Sequence, residues 1–232
     1  MAVGKEGSDL RLRMFNPDGT EDFCGNGLRC AALHAQGQGW VGAQFAIRHL
    51  DRLVPTQIAG DLIRTELGPA SYLPEDIPVQ FEQDRDNTFD RVVWQDSSRS
   101  IRGSVLTTGS THTIIPGPLP DDATIDDLGP KIENAPQFPT RTSVMWVETL
   151  APMVLQIRIW ERSVGETQGC GTGSSAAAVD YLRRLGRGGT VEVRNPGGTV
   201  WVTAEAWNAP VSVKGEAREV FAGTWLGPAP QT

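Results

Sequence analysis

Two short stretches decide the fold: DFCGNGLRCAALHA at residues 22–35 and GCGTGSSAAAVDYL at residues 169–182. Each places a cysteine, Cys24 or Cys170, ahead of a Gly-x-Gly turn, and each turn leads into a segment rich in small residues. A glycine-containing turn followed by good helix formers is typical of a helix N-terminus. The sequence therefore predicts two matched cysteine turns, each at the start of a helix.

The segments before the two turns also match, and they predict strands. LRLRMFN at residues 10–16 and LQIRIWE at residues 155–161 alternate apolar and polar side chains, which is the period of a half-buried strand. Gly37 and Gly186 follow the helical segments and are expected to end the helices. Strand, loop, cysteine turn and helix thus occur twice, which predicts two similar halves with one helix packed into each sheet.

Turn signals outline the rest of the chain. SVMWVET, TVEVRN and TVWVTAEA are predicted strands, and NPGG between the last two predicts a hairpin. PEDIP at residues 74–78 is predicted to link the halves, and residues 115–122 are predicted to be a loop. We expect an α+β protein with an N-terminal half at residues 1–73, completed by residues 216–232, and a C-terminal half at residues 74–215.

Composition argues against several classes of protein. The 232 residues include 21 Lys and Arg against 28 Asp and Glu, a net charge of −7 with no basic patch, which disfavours a nucleic-acid or anionic-membrane surface. No apolar run is long enough for a membrane span, and no secretory signal is visible. Three cysteines are too few for a disulfide framework. We expect a cytoplasmic protein with a small-molecule substrate and neither nucleic acid nor membrane as partner.

The cysteine turns themselves suggest a chemistry. Successive N–H groups at a helix N-terminus can bind a carboxylate, and the positive end of the helix dipole is expected to lower the pKa of a thiol placed there. Two such turns that face each other would place sulfurs on opposite sides of one small acid. One thiolate would remove a proton from carbon while the other thiol delivers one to the opposite face. This arrangement predicts inversion of a stereocentre by two bases.

Other roles for the cysteines are weaker. A single cysteine is most often a structural residue, and Cys30 fits that role because the second turn has Ala176 in its place. Neither turn contains Cys-x-x-Cys, which argues against a redox pair. Cys24, Cys30 and His34 match no common zinc spacing, and neither turn has the Gly-Lys-Ser or Gly-Lys-Thr of a phosphate loop. We expect no metal and no cofactor.

Six stretches carry a family resemblance: RLRMFNPDGTEDFCGNGLRCAA, LGPASYLPEDIP, TTGSTHTII, FPTRTSVMWV, IRIWERSVGETQGCGTGSSAAA and GEAREVFAG. In them the chain resembles the diaminopimelate epimerase family of pyridoxal-independent amino-acid epimerases. The resemblance implies two pseudosymmetric halves, each a curved, mostly antiparallel sheet around a central helix, with the substrate between them. It also implies inversion at the α-carbon of an amino acid, with LL- to meso-diaminopimelate in lysine and peptidoglycan synthesis as the first expectation.

The resemblance further implies roles for individual residues. Cys24 and Cys170 would be the paired base and acid, with His112 and Glu161 assisting proton transfer. The residues that would hold the substrate are Asn16, Gly25, Asn26, Ser110, Ser143, Glu161, Arg162, Gly171 and Thr172. Of these, the residues of the two turns would hold the carboxylate at the reacting end, and Asn16, Glu161 and Arg162 would grip the far end.

The chain departs from the family pattern at three places: Ser110, Ser143 and the start of the sequence. Ser110 and Ser143 stand where the family has asparagines, so the reacting centre is complete while recognition of the far end of the substrate is weaker. The family's first strands are expected to be missing, with Met1 inside a loop and an uncovered sheet edge beside Leu10 to Phe15, which a homodimer would cover. Two alternatives therefore remain: a racemase of a different amino acid, and a non-catalytic remnant that binds an amino acid.

Overall fold

A computed structural model of the chain describes residues 1–6, 9–15, 19–81, 88–224 and 226–227. The described residues form 14 strands and three helices. The strands are β1 (Ala2–Glu6), β2 (Asp9–Arg13), β3 (Gln44–His49), β4 (Arg52–Ala59), β5 (Leu62–Pro69), β6 (Arg91–Gln95), β7 (Ser100–Thr107), β8 (Thr111–Pro116), β9 (Ser143–Ala151), β10 (Val154–Glu161), β11 (Gly165–Glu166), β12 (Gly189–Asn195), β13 (Gly198–Ala204) and β14 (Pro210–Glu216). The helices are α1 (Gly25–Gly37), α2 (Asp122–Glu133) and α3 (Gly171–Leu185).

The described strands follow one hydrogen-bonded path. Their order is β1-β2-β3-β4-β5-β14-β13-β12-β10-β9-β8-β7-β6, and β11 pairs with β10 beside this path. Within this path the pairs β2–β3, β8–β9 and β10–β12 are parallel, and the other pairs are antiparallel. A mostly antiparallel sheet combined with three helices confirms the predicted α+β class.

The predicted repeat is present as two strand–helix–strand units. Strand β2, helix α1 and strand β3 form one unit, and β10, α3 and β12 form the other. In both units the flanking strands are parallel, and the helix supplies the crossover that a parallel pair requires. Helix α3 ends at Gly186 in the left-handed conformation, as predicted, and α1 continues through Gly37 to a cap at Gln38.

Most of the predicted strands are confirmed. Strands β9 and β12 cover their predicted segments, β13 follows the last one as far as Ala204, and Asn195 pairs with Gly198 across the predicted hairpin turn. Residues 115–122, however, are not only a loop. Ile115 and Pro116 continue β8 because they pair with β9, and Asp122 begins helix α2, which the sequence analysis did not predict.

The prediction of an uncovered sheet edge beside Leu10 is wrong, because strands lie on both sides of β2. Residues 2–6, for which the sequence analysis predicted no strand, form β1 and pair antiparallel with β2 along its whole length. Strand β3 covers the other side of β2. The division of the chain into halves at residue 73 stays a prediction.

The helices α1 and α3 share one hydrophobic core. Ala31, Ala32 and Ala35 of α1 have no exposed surface, and the same is true of Ala176–Ala178 of α3. Small side chains allow the surrounding strands to approach each helix closely, as the alanine-rich sequence predicts. Both cysteine turns are therefore held by helices fixed in a common core.

Candidate active site

The N-termini of α1 and α3 meet in a contact between two glycines. A Cβ atom built on Gly25 would lie 3.5 Å from the Cα of Gly171, and one built on Gly171 would lie 3.4 Å from the Cα of Gly25. The first N–H groups of a helix have no partner inside the helix, and they carry about half a positive charge. The contact therefore brings two sets of N–H donors together at one place, where a carboxylate would offset their repulsion.

The two cysteines occupy equivalent positions at this junction. Cys24 is the N-cap of α1, and its Sγ accepts a hydrogen bond from the Gly27 N–H at 3.2 Å. Cys170 is the N-cap of α3, and its Sγ accepts one from the Gly173 N–H at 3.3 Å. Both thiols are free, and a charge on Cys24 raises the pKa of Cys170. The sulfurs are thus held alike and lie near enough to influence each other.

Burial dominates the protonation of both thiols. It raises the pKa of Cys24 above its usual value, although the Gly27 N–H opposes this, and it raises the pKa of Cys170 to about 12. The negative charge of Glu161 adds to the rise at both sulfurs. The prediction of a lowered pKa is wrong for this state, because the N–H groups offset only part of the cost of desolvating a thiolate.

Glu161 lies directly beside Cys170. Its carboxylate accepts a hydrogen bond from the Thr167 hydroxyl, and its negative charge raises the pKa of Cys170, while burial raises the pKa of Glu161 itself. A negative charge beside a thiol disfavours the thiolate. The charge of Glu161 therefore helps to hold the proton on Cys170.

His112 is linked to Cys170 through two hydroxyl groups. Its Nε2 lies 3.1 Å from the Ser110 Oγ, which is 3.5 Å from the Thr172 Oγ1, and that oxygen is 3.4 Å from the Cys170 Sγ. Burial, helped by the charge of Arg162, lowers the pKa of His112 to about 3. His112 is therefore a neutral imidazole at physiological pH.

Asn26 ties the two cysteine turns together. Its Nδ2 donates to the Gly169 carbonyl at 2.9 Å, and its Oδ1 accepts from the Arg29 guanidinium at 2.7 Å. Arg29 is only 7% exposed and was not singled out from the sequence, although it follows the first cysteine turn by less than one helical turn. The Asn26 side chain thus fixes the junction, and its backbone N–H remains close to the Cys24 sulfur.

The residues expected to grip the far end of the substrate contact one another or their neighbours. The Arg162 backbone N–H donates to the Ser143 Oγ at 3.1 Å, and its guanidinium pairs with the Asp22 carboxylate at 3.0 Å. Asp22 was missed by the sequence analysis, because a lone acid in a loop carries no pattern. Asn16 lies outside the described residues.

A cavity of about 560 Å³ opens beside this junction. Its lining residues are Asn26, Arg29, Gln168, Gly169, Cys170, Gly171, Ser174, Asn195, Gly197, Gly198, Thr199, Val200, Trp201 and Glu216.

Among the described residues, no three His, Cys, Asp or Glu side chains are grouped to bind a metal ion. Nor does that part of the chain contain a helix long and apolar enough to cross a membrane.

Comparison with solved structures identifies the class of fold. A probable proline racemase from Agrobacterium radiobacter K84 superimposes with a TM-score of 0.68 at 14% identity, covering 98% of this chain and 75% of that chain. A hydroxyproline epimerase from Agrobacterium vitis gives 0.64 at 15% identity, over 92% and 69% of the two chains. The fold is therefore the one that these isomerases share.

Comparison of sequences identifies the family. The family model described as diaminopimelate epimerase matches residues 104–220. Diaminopimelate epimerase from Desulforudis audaxviator is 36% identical over 94% of this chain and 80% of its own length, and that from Stutzerimonas stutzeri is 32% identical over 93% and 78%. The chain belongs to the diaminopimelate epimerase family and is an isomerase of the amino-acid epimerase class.

Proposed function

We propose that this chain inverts the α-carbon of an amino acid with Cys24 and Cys170 as paired base and acid. The observation that carries the proposal is the equivalence of the two cysteines at helix N-termini that touch through Gly25 and Gly171. Inversion by two bases needs one proton-transfer group on each face of the carbon. Two sulfurs presented by facing turns meet that need, and the proposed reaction uses no cofactor.

The helix N-termini would hold the carboxylate of the substrate. The N–H groups of Gly25, Asn26, Gly171 and Thr172 occupy the first turns of the two helices. Donors directed at the carboxylate also stabilise the negative charge that develops when the α-proton leaves. The same groups would therefore bind the substrate and lower the barrier to proton removal.

The surroundings of the two thiols differ, and we therefore assign them different protonation states in the free protein. Burial and the charge of Glu161 raise the pKa of Cys170 to about 12, so it keeps its proton and is the acid. Burial also raises the pKa of Cys24, but the Gly27 and Asn26 N–H groups oppose the rise, so we assign Cys24 as the sulfur that ionises first. The substrate ammonium group, placed beside the sulfurs, would favour that ionisation.

The relatives named diaminopimelate epimerase make LL-diaminopimelate the first substrate to test, as a step of lysine and peptidoglycan synthesis in the cytoplasm. A racemase of a different amino acid is the second candidate. It is favoured by Ser110 and Ser143, the two positions where the family resemblance expects asparagines; their hydroxyls contact His112 and the Arg162 backbone N–H.

The test is inversion and α-proton exchange in deuterated water, with diaminopimelate and a panel of other amino acids. We expect deuterium at the α-carbon together with the inverted isomer, and a loss of inversion on the order of 10²-fold or more in Cys24→Ala and in Cys170→Ala. Cys30→Ala is the matched control, because Cys30 is exposed and should be dispensable. Near-full inversion by either of the first two variants would disprove the paired mechanism. No exchange with any amino acid would favour the non-catalytic remnant.

A further inference from the structure

A buried histidine lies against the first cysteine turn and has no role in the reaction as proposed above. His49 is the last residue of β3 and has no exposed surface. Its Nε2 lies 3.0 Å from the backbone nitrogen of Cys24, and its Nδ1 lies 3.1 Å from the Leu12 carbonyl oxygen. A carbonyl can only accept, so Nδ1 carries the ring proton and Nε2 accepts the Cys24 N–H. The imidazole therefore joins the turn to β2.

The surroundings of the imidazole hold it in this orientation and in its neutral state. Phe23 stacks on the ring, with the two ring centroids 4.9 Å apart. Burial lowers the pKa of His49 below its usual value, although the Leu12 carbonyl and the charge of Glu21 oppose this. Protonation would place an N–H against the Cys24 N–H and would break the hydrogen bond between them. The neutral imidazole is therefore the form that can hold the turn.

The N–H of Cys24 needs an acceptor from outside its helix. It belongs to the N-cap of α1, so it takes no part in the hydrogen bonds within the helix. A glutamate or glutamine at the third helical position often accepts this N–H, but here Gly27 occupies that position and has no side chain. His49, 25 residues away in sequence, supplies the acceptor. The turn is thus anchored to the sheet rather than capped locally.

The second cysteine turn has an asparagine, not a histidine, at the equivalent position. Ile47 pairs with the first residue of LRLRMFN, and Val193 pairs with the first residue of LQIRIWE. His49 and Asn195 each lie two residues further along their strands. The Asn195 Oδ1 accepts from the Ser174 hydroxyl, and its Nδ2 donates to the Val193 carbonyl. The side chain on β12 therefore contacts helix α3 beyond its cap, whereas the imidazole on β3 holds the cysteine itself.

We propose that His49 is a positioning residue, which sets the place of the Cys24 thiol by accepting the Cys24 backbone N–H. Two hydrogen bonds then fix this cysteine, because its N–H donates to His49 and its Sγ accepts from the Gly27 N–H at 3.2 Å. Proton transfer needs the reacting atoms within about 3–3.5 Å of each other, and a displacement of about 1 Å can cost on the order of 10²-fold in rate. The inference rests on the proposed function, because it gives the positioned thiol a proton-transfer role.

The experiment compares two variants of His49. His49→Phe keeps a ring that can stack on Phe23 and removes the acceptor, whereas His49→Gln can place an amide oxygen near the position of Nε2. We expect His49→Phe to lower kcat for α-proton exchange about tenfold or more, with KM changed by less than about twofold, because the donors to the carboxylate remain in their helices. His49→Gln should retain most of the wild-type kcat. His34→Phe, the same change at an exposed position, is the matched control, and circular dichroism checks the folding of each variant.

Solvent exchange of the Cys24 amide, followed by NMR in protein labelled at cysteine nitrogen, tests the hydrogen bond without substrate. His49→Phe should raise the exchange rate of this amide about tenfold, while the rate of the Cys170 amide stays within about twofold. An unchanged Cys24 rate overturns the inference, and so does a faster rate with an unchanged kcat; in either case an active wild-type protein leaves the proposed function standing. A wild-type protein that exchanges the α-proton of no amino acid overturns the proposed function and the positioning role together, and a faster Cys24 amide then supports the hydrogen bond alone.

Discussion

Gly25 and Gly171 place the N-termini of two helices in van der Waals contact, each glycine presenting its Cα to the other. Cys24 and Cys170 immediately precede these glycines and cap the same helices. The separation of the two sulfurs is therefore set by a contact in which a Cβ atom on Gly25 would just touch the other helix. A side chain larger than a methyl group at Gly25 would change the geometry of the reacting centre before it changes the fold.

The first prediction concerns the size of residue 25. A Cβ on Gly25 would lie at ordinary contact distance from Gly171, so Gly25→Ala should retain exchange activity within a few-fold. The branches of valine in Gly25→Val have no such space and should push the helices apart, with a loss on the order of 10²-fold. Exchange in deuterated water, with circular dichroism as a check of folding, measures both variants. Equal activity of Gly25→Val and the wild-type protein would show that the contact does not set the sulfur spacing.

The second prediction concerns the protonation of Cys170. Glu161 helps to raise the pKa of this thiol, so Glu161→Gln should lower it and increase the thiolate fraction at pH 8. Alkylation of Cys170 by iodoacetamide, followed by peptide mass spectrometry, should then be several-fold faster, with exposed Cys30 as the internal reference. Glu192→Gln is the control, because Glu192 pairs with Arg194 at the surface. A slower reaction of Cys170 in Glu161→Gln would contradict the assigned role of the carboxylate.

The third prediction concerns stability in acid. Because the pKa of His112 is lowered to about 3, the folded chain does not bind a proton there below pH 6.5, whereas the unfolded chain does. Above pH 6.5 the neutral imidazole costs no stability. Between pH 6.5 and pH 3 only the unfolded chain binds this proton, so the free energy of unfolding falls by about 1.4 kcal/mol for each pH unit. Between pH 7 and pH 5, the free energy of unfolding should fall about 2 kcal/mol more in the wild-type protein than in His112→Gln. Denaturant unfolding at the two pH values measures this, and His34→Gln, at an exposed position, should behave like the wild-type protein.

The repeated elements were predictable because their signals are local. Alternation marks β2 and β10, and a cysteine before Gly-x-Gly marks both helix N-termini. Helix α2 was missed because Gly129 and Pro130 argue against a helix. Its stability comes from tertiary packing: Ile125, Leu128 and Ile132 are buried, and Gly129 leaves space for the Trp160 ring, which a Cβ would approach at 2.4 Å.

The cysteines of the site could be predicted from the sequence, but the pKa values of their thiols and the ion pairs around them could not. The turns are visible in the sequence, but the thiol pKa depends on how deeply the fold buries each sulfur, and the predicted helix effect proved smaller than desolvation. Asp22 and Arg162 form a pair across 140 positions of sequence, so no local pattern indicates it. Tertiary structure alone supplies both facts.

The last prediction tests the packing that holds both turns in place. Ala177 lies on α3 with no exposed surface, between Ala176 and Ala178, which are equally buried. Leucine at this position adds three carbon atoms to a filled core, so Ala177→Leu should lower the free energy of unfolding by about 1–3 kcal/mol. It should also reduce exchange activity, because a displaced α3 carries Cys170 with it. Leu185→Ala, a change of the same size at an exposed position on the same helix, should alter stability by less than about 0.5 kcal/mol. Denaturant unfolding measures the free energy of unfolding of the two variants. An Ala177→Leu protein as stable as the wild type would show that the strands do not enclose α3 tightly.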